Sequence, residues 1–330
     1  MNGFSQYEEK KRAILAFLHV YSQCSKRYLD PVTHIEFFSN LDLNISCKKI
    51  EYWNPEEWDI FAAELGSALD NIRTSSKAKG SLLKVDVKGI VKRIYSHIVH
   101  CHANSARYVL WGDSLYPDSL YHIADAPLGL TLLGNSDLLY RACVSVVGAR
   151  KPNFMSLEQC YLLGSRLGEM DWVCVSGGAY GCDIQTHQGV LAASAIECPA
   201  IVVFAGGLSH LYPQGNKAVF SEMIEAGALF LSERLWGQEA RFYDFPVRNR
   251  IISGLSSELI VMQAALKSGT FVTANKALDQ GREVLVLRQH PDDPNCSGSQ
   301  KLVEEGAYSF SDADDLFINY RFAHEIRGLL

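Results

Sequence analysis

Three arginines in this chain of 330 residues are placed for chemistry: Arg150, and the pair Arg248 and Arg250 on either side of Asn249. Arg150 ends the run Val146-Val147-Gly148-Ala149-Arg150, and no acidic residue lies between Asp244 and Glu258, so the second segment is locally cationic. A guanidinium is planar, permanently charged and able to grip two phosphate oxygens at once, so the expected chemistry is recognition of an anion. Hydroxyls at Ser176, Ser268, Thr270 and Thr273 offer further donors; each also stands where a helix cap belongs, Ser268 above all. Gly148, Gly177, Gly178, Gly181, Gly206, Gly207 and Gly269 leave room for a ligand beside backbone N–H groups. Tyr180 and Tyr212 are candidates for stacking on bases, although Tyr212 before Pro213 also suits a packed turn. The bland readings are a surface ion pair for Arg150 and a structural tie for one of Arg248 and Arg250. Residues two apart on a helix face different ways, so one of that pair is expected outward and the other inward.

Asp183 and His187 have acid–base spacing, four residues apart on one helix face. No nucleophile motif accompanies them: G-x-S-x-G, H-E-x-x-H and GxxxxGK[ST] are all missing from the sequence. Asp183 therefore reads as a helix cap and His187 as a packed helix residue. The expectation is no enzymatic activity, no cofactor and no metal. The alternative within the same fold is a nucleotide-binding or nucleotide-cleaving enzyme.

The elements that must hold these side chains are legible from apolar runs at 143–147, 172–176 and 200–204, each ending in glycine and handing over to a helix-like segment. Further runs at 228–231, 259–262 and 283–287 extend the set, with helices over 152–170, from Ile184, over 216–226 and over 270–278, and a loop over 291–299. Short β-branched runs separated by helix lengths predict buried parallel strands. Their carboxyl ends share one edge, so the glycine turns converge on one crevice. In the second turn, Asp183 before a helix starting at Ile184 predicts an open helix amino end that attracts anions. The fold class is α/β: a Rossmann-like, mostly parallel sheet with flanking helices, preceded by a small helical domain.

Residues 1–105 carry helical periodicity, including a helix over 82–100 with Lys84, Lys88 and Lys92 along one face, which reads as a solvated stripe. His97, His100, Cys101 and His102 read as a helix end, because no second ligand pair exists to complete a zinc site. A net charge of -6 argues against indiscriminate nucleic-acid binding while allowing a local basic patch. Nine scattered cysteines suit free thiols in a reducing compartment. No apolar run reaches about eighteen residues and no signal-peptide pattern opens the chain, so a cytoplasmic protein without a membrane span is expected.

Over 113–307 the sequence resembles the DprA/Smf family of DNA-processing proteins. The resemblance rests on Tyr116-Pro117 with Asp125-Ala126-Pro127, on Val146 to Arg150, and on Ser176-Gly177-Gly178-Ala179-Tyr180-Gly181-Cys182-Asp183 with His187. It continues through Gly206-Gly207-Leu208, Tyr212-Pro213, Ser232-Glu233, the block from Phe245 to Ser256, Ser268-Gly269-Thr270 with Thr273-Ala274, and Gly306-Ala307. It implies a protein that binds and protects single-stranded DNA during natural transformation, loads a RecA-type recombinase and self-associates as a homodimer. It also implies that Arg150 contacts the strand and that the block at 248–250 lines the same basic pocket. The implied domains are a helical one at 1–105, a Rossmann-like one at 106–310 and a short tail at 311–330 with no winged-helix domain. Three positions depart from the family pattern: Gln263 for a glutamate, Arg288-Gln289 for Pro-Gly, and Gln214 where a basic residue is common.

Overall fold

The computed structural model describes residues 2–25, 43, 49–75, 86–289 and 292–320. Lys84, the start of the helix expected over 82–100 and the last ten residues of the expected tail at 311–330 lie outside the described residues. The chain divides into two compact units, Met1–Tyr116 with Asp125–Leu130, and Pro117–Ala124 with Thr131–Leu330.

The first unit contains helices α1 (Asn2–Ser25), α2 (Pro55–Ser75) and α3 (Val87–Ala103), then strand β1 (Arg107–Leu110). Asn54 and Glu57 start α2 with reciprocal bonds, each backbone N–H donating to the other's side chain at 2.8 and 2.9 Å. This satisfies two amides that a helix start otherwise leaves open, with Pro55 at a position that needs no donor. Trp53, Trp58 and Phe61 pack edge to face, with centroids 4.8 to 5.9 Å apart, and bury the side of α2. Asp86 caps α3, which buries Ile90, Val91, Ile94, His97, Ile98 and Cys101 along one stripe. His97 and Cys101 meet in this core, Sγ 3.6 Å from Nε2.

The second unit is built on β2 (Gly129–Gly134), which enters it at Thr131, β3 (Cys143–Val147), β4 (Val173–Ser176), β5 (Ala200–Phe204), β6 (Leu229–Ser232), β7 (Glu258–Val261), β8 (Glu283–Leu287) and β9 (Tyr308–Phe310). These strands lie in the order β2-β6-β5-β4-β3-β7-β8-β9. From β6 to β9 every neighbouring pair is parallel, and β2 joins β6 antiparallel. Every residue of β3 to β7 is buried, which is why these strands read as mainly apolar runs, with Ser145, Ser176, Ser232 and Glu258 as buried polar exceptions. The chain steps outward from β3 through β6 and then returns to lay β7 on the other side of β3. The strand order reverses between β3 and β7, where α/β sheets form their ligand crevice.

The connecting helices are α4 (Phe154–Glu169), α5 (Cys182–Ala193), α6 (Lys217–Glu225), α7 (Asp244–Gly254), α8 (Gly269–Asp279), α9 (Ser297–Glu304) and α10 (Ala313–Asn319). Three differ from the sequence reading. Helix α5 begins at Cys182 with Gly181 as its cap, so Asp183 sits inside the first turn and not before it. Arg248, Asn249 and Arg250 lie within α7, whose start at Asp244 is hidden in the sequence by aromatic and proline residues that dilute helical periodicity. The expected loop at 291–299 contains a short 3-10 turn, Pro294–Cys296, and the beginning of α9.

Candidate functional site

The turn after β4 is closed by its own side chains. Asp183 Oδ2 accepts from Gly177 N and Ala179 N, both at 3.2 Å, and Ser176 Oγ accepts from Gly178 N at 3.3 Å. Cys182 N donates to Ala149 O at 3.1 Å, Ile184 N to Ala179 O and Gln185 N to Gly181 O. The amides of Gly177, Gly178, Ala179, Cys182, Ile184 and Gln185 are therefore satisfied within the protein, so most of the donors that the sequence offered to an anion are used by the turn itself. Gly181 is required here: its φ is +80°, and a Cβ would lie 2.4 Å from Ala149 O. Asp183 ties the turn together instead of capping the helix, a distinction that sequence spacing does not resolve.

The third turn is covered as well. Gly207 N donates to Gln238 O at 2.7 Å, and a Cβ on Gly207 would lie 2.0 Å from Leu235 O. Gly206 and Gly207 are buried under the segment after β6, so they hold that segment and present no surface to a ligand.

Both arginines of α7 point inward, contrary to the expectation of one in and one out. Arg248 is buried beneath the β4 turn, where Nη1 donates to Gly177 O at 3.1 Å and to Val203 O. Arg250 is buried against Glu233 in a bidentate pair at 3.0 and 2.7 Å. The helix itself faces the sheet edge, and long arginine stems reach buried acceptors from either flank of that face. Burial lowers Arg248 to about 10, partly offset by the Asp183 charge, and leaves it cationic at neutral pH. Burial raises Asp183 to about 6, opposed by Arg248 and by the Ala179 and Gly177 amides. His187 is pushed down to about 3 by burial and is neutral; Ser176 Oγ lies 2.8 Å from its Nε2, and Nδ1 has no partner. No carboxylate orients that imidazole, so Ser176, His187 and Asp183 do not form a proton relay.

What remains exposed is a rim at the β3 to β7 reversal. Arg150 stands in solvent with its guanidinium carbon 5.5 Å from the centroid of Phe245. Tyr212, half exposed, packs edge-on against the same ring at 5.6 Å. Tyr180 is also half exposed, and its Oη accepts from Gly215 N at 3.2 Å. Lys151 is exposed beside Arg150, and Phe242 is almost fully exposed ahead of α7. Phe245 is the residue the sequence reading left without a role; its position three residues before Arg248 was the available signal, since both start one helix.

The hydroxyls brace this rim. Thr270 Oγ1 donates to Gly148 O at 2.9 Å, tying the β3 turn to the start of α8. Thr273 Oγ1 donates to Gly269 O and accepts from Asn249 Nδ2 at 2.7 Å. Ser268 caps α8 by accepting from Phe271 N at 3.1 Å, the structural role expected of it. Gly269 is exposed, and a Cβ there would meet nothing within 4 Å, so a ligand can reach its backbone. Ser176 is fully buried and is removed from any surface contact. The departures at Gln263 and Gln289 join in one amide network. Gln263 Oε1 accepts from Asn153 N at 2.9 Å, and Gln289 Nε2 donates to Met262 O at 2.7 Å, holding the segment that follows Arg150.

A family model described as DNA recombination-mediator protein A matches residues 107–321. The chain is 32% identical over 245 residues to the DNA processing protein DprA of Bacillus subtilis, covering 74% of this chain and 81% of that protein. The X-ray structure of DNA processing protein A from Streptococcus pneumoniae superposes with a TM-score of 0.63 at 29% identity, over 78% of this chain and 87% of that one. The structure of DNA processing protein A from Helicobacter pylori, which describes a single-stranded DNA binding mode, gives a TM-score of 0.58 at 28% identity over 65% and 98%. With its parallel sheet, its glycine turns and the α7 arginine block all inside the matched region, the chain belongs to the DNA recombination-mediator protein A family, the DprA and Smf proteins.

Proposed function

We propose that this protein binds single-stranded DNA along the β3 to β7 rim during DNA uptake and recombination, protects the strand and passes it to a RecA-type recombinase. The observation that carries the reading is the exposed Arg150 guanidinium over Phe245, with Tyr212 against the same ring. A single strand offers both a phosphate charge and open base faces, and a cation beside aromatic rings meets both, whereas a duplex hides its faces. The Helicobacter pylori relative, described as binding single-stranded DNA, supports the same ligand. The protein acts without catalysis, in the cytoplasm and as a homodimer. The burial of His187, with no partner on Nδ1 to orient its ring as a base, supports the non-catalytic part of this reading.

Fluorescence anisotropy with a labelled dT oligomer and with a duplex, across salt concentrations, tests it. Wild type is expected to prefer the single strand, and Arg150→Ala to weaken that binding. Absence of oligomer binding at low salt refutes the proposal. Thermal stabilisation by a mononucleotide with none by the oligomer would replace it with a nucleotide-binding enzyme.

A further inference from the structure

Helix α3 of the first unit has a charge pattern unlike the chain as a whole. Its seventeen residues include Lys88, Lys92 and Arg93 and no Asp or Glu, in a protein of net charge -6. The apolar stripe from Ile90 to Cys101 is buried, which fixes the opposite face in solvent. On that face Lys88, Lys92, Arg93, Ser96 and His100 are all exposed. Steps of four residues at about 1.5 Å each place Lys88, Lys92, Ser96 and His100 in a row roughly 18 Å long. Neither Lys88 nor Lys92 has an ion-pair partner among the described residues. The nearest carboxylate in sequence, Asp86, is committed to the helix cap, accepting from Gly89 N at 2.9 Å.

We infer that this face of α3 is a second contact surface for a nucleic-acid phosphate backbone, separate from the Arg150 rim. Two lysines one helical turn apart, with Arg93 beside them, complement neighbouring phosphates and read no base, so they add affinity and salt dependence without sequence preference. An anionic membrane is the less fitting partner. Surface helices hold membranes by burying large apolar side chains, and the only large apolar residue exposed on this helix is Val99. The surface adds to the rim reading, and the two are separable by mutation.

The test uses the full chain and the labelled dT oligomer, comparing wild type, K88Q/K92Q and K88R/K92R, with circular dichroism melts to confirm folding. Each lost phosphate contact removes about 0.7 from the slope of log affinity against log salt on a single strand, so K88Q/K92Q is expected to flatten the slope by about 1.4. The arginine variant keeps the charges and is expected to keep the wild-type slope. An unchanged slope in K88Q/K92Q, alongside weakened binding by Arg150→Ala, overturns this surface and leaves the rim standing. Loss of binding to phosphatidylserine vesicles in K88Q/K92Q with unchanged DNA binding overturns it in favour of a membrane contact.

Discussion

Arg150 and Arg250 carry the same charge in the same unit, and substitution by alanine is expected to separate binding from stability. Arg150 is exposed and its contact with the protein is the Phe245 face at 5.5 Å, worth about 0.5–1 kcal/mol at an exposed site. Arg150→Ala strands no buried partner, so its melting temperature is expected to stay within a few degrees of wild type. A charged hydrogen bond to phosphate contributes roughly 1.5–3 kcal/mol, so dT-oligomer affinity is expected to fall about 10- to 150-fold. The salt slope is expected to flatten by about 0.7, one phosphate contact. Arg250 makes two bonds to Glu233 at 3.0 and 2.7 Å, and its side chain is 5% exposed. Arg250→Ala takes the guanidinium away from a Glu233 carboxylate whose side chain is 17% exposed, at a cost of about 3–5 kcal/mol, or on the order of 10 °C in melting temperature for a unit of this size. Its folded fraction is expected to retain the wild-type salt slope. Anisotropy titrations at several salt concentrations and thermal melts on the same preparations provide both readings. If Arg150→Ala binds like wild type, or if Arg250→Ala flattens the slope with an unchanged melting temperature, the division of roles between the two arginines is wrong.

Gly177→Ala places a Cβ 2.6 Å from the Arg248 guanidinium, which is buried and cannot retreat, so a loss of about 2–4 kcal/mol in denaturant unfolding is expected. Gly269→Ala meets nothing within 4 Å and is expected to keep stability within about 0.5 kcal/mol; a binding defect in this variant would report close approach of the strand to the α8 backbone. His187 and His97 are held down to about 3 by burial, so their contribution is full above the ordinary histidine value of about 6.5 and is lost as pH falls from there towards 3; melts stepped through this range should show progressive destabilisation, and flat melting temperatures would contradict it. Asp183 is displaced in the opposite sense, from 3.8 to about 6, so its contribution is present below the lower value and lost as pH rises through the upper one. Relative to wild type, Asp183→Asn should therefore gain stability between about pH 4 and pH 7, and a difference that does not change with pH would show that Asp183 is not buried as described.

The parallel strands were legible because burial on both faces leaves continuous apolar runs, and each expected run from Val144 to Leu287 coincides with a strand. Helix α7 was not legible from its start, because Asp244-Phe245-Pro246-Val247 carries no helical period and its burial is decided by β5 and by the turn above it. The direction of Arg248 and Arg250 was unreadable for a related reason. Angular spacing on a helix describes where Cβ points, but their partners, Gly177 O, Val203 O and Glu233, lie 17 to 71 positions away in sequence. The same holds for Asp183, whose spacing to a helix start looked like a cap until Gly177 N and Ala179 N claimed its oxygen. Local chemistry could be read residue by residue, whereas the assignment of each polar group to protein or to ligand depends on contacts that only the fold creates.

That assignment changes the physical basis of recognition. In a sheet edge with open turns, an anion is held by backbone amides, whose positions are fixed and whose number is set by the loop. Here the β4 amides bind Asp183 and Ser176, and Gly207 N binds Gln238 O, so the glycine turns act as a buried scaffold beneath the rim. In the proposed binding mode, recognition falls to side chains mounted on that scaffold, chiefly Arg150 with Phe245 and Tyr212. Side chains swing where amides cannot, and aromatic faces accept any base, so such a rim suits a long, irregular strand better than one small phosphate ligand seated in a fixed cradle. The buried Arg248 lies beneath: it joins Gly177 O, just after β4, to Val203 O, in the neighbouring strand β5, and so braces the β4 turn from below.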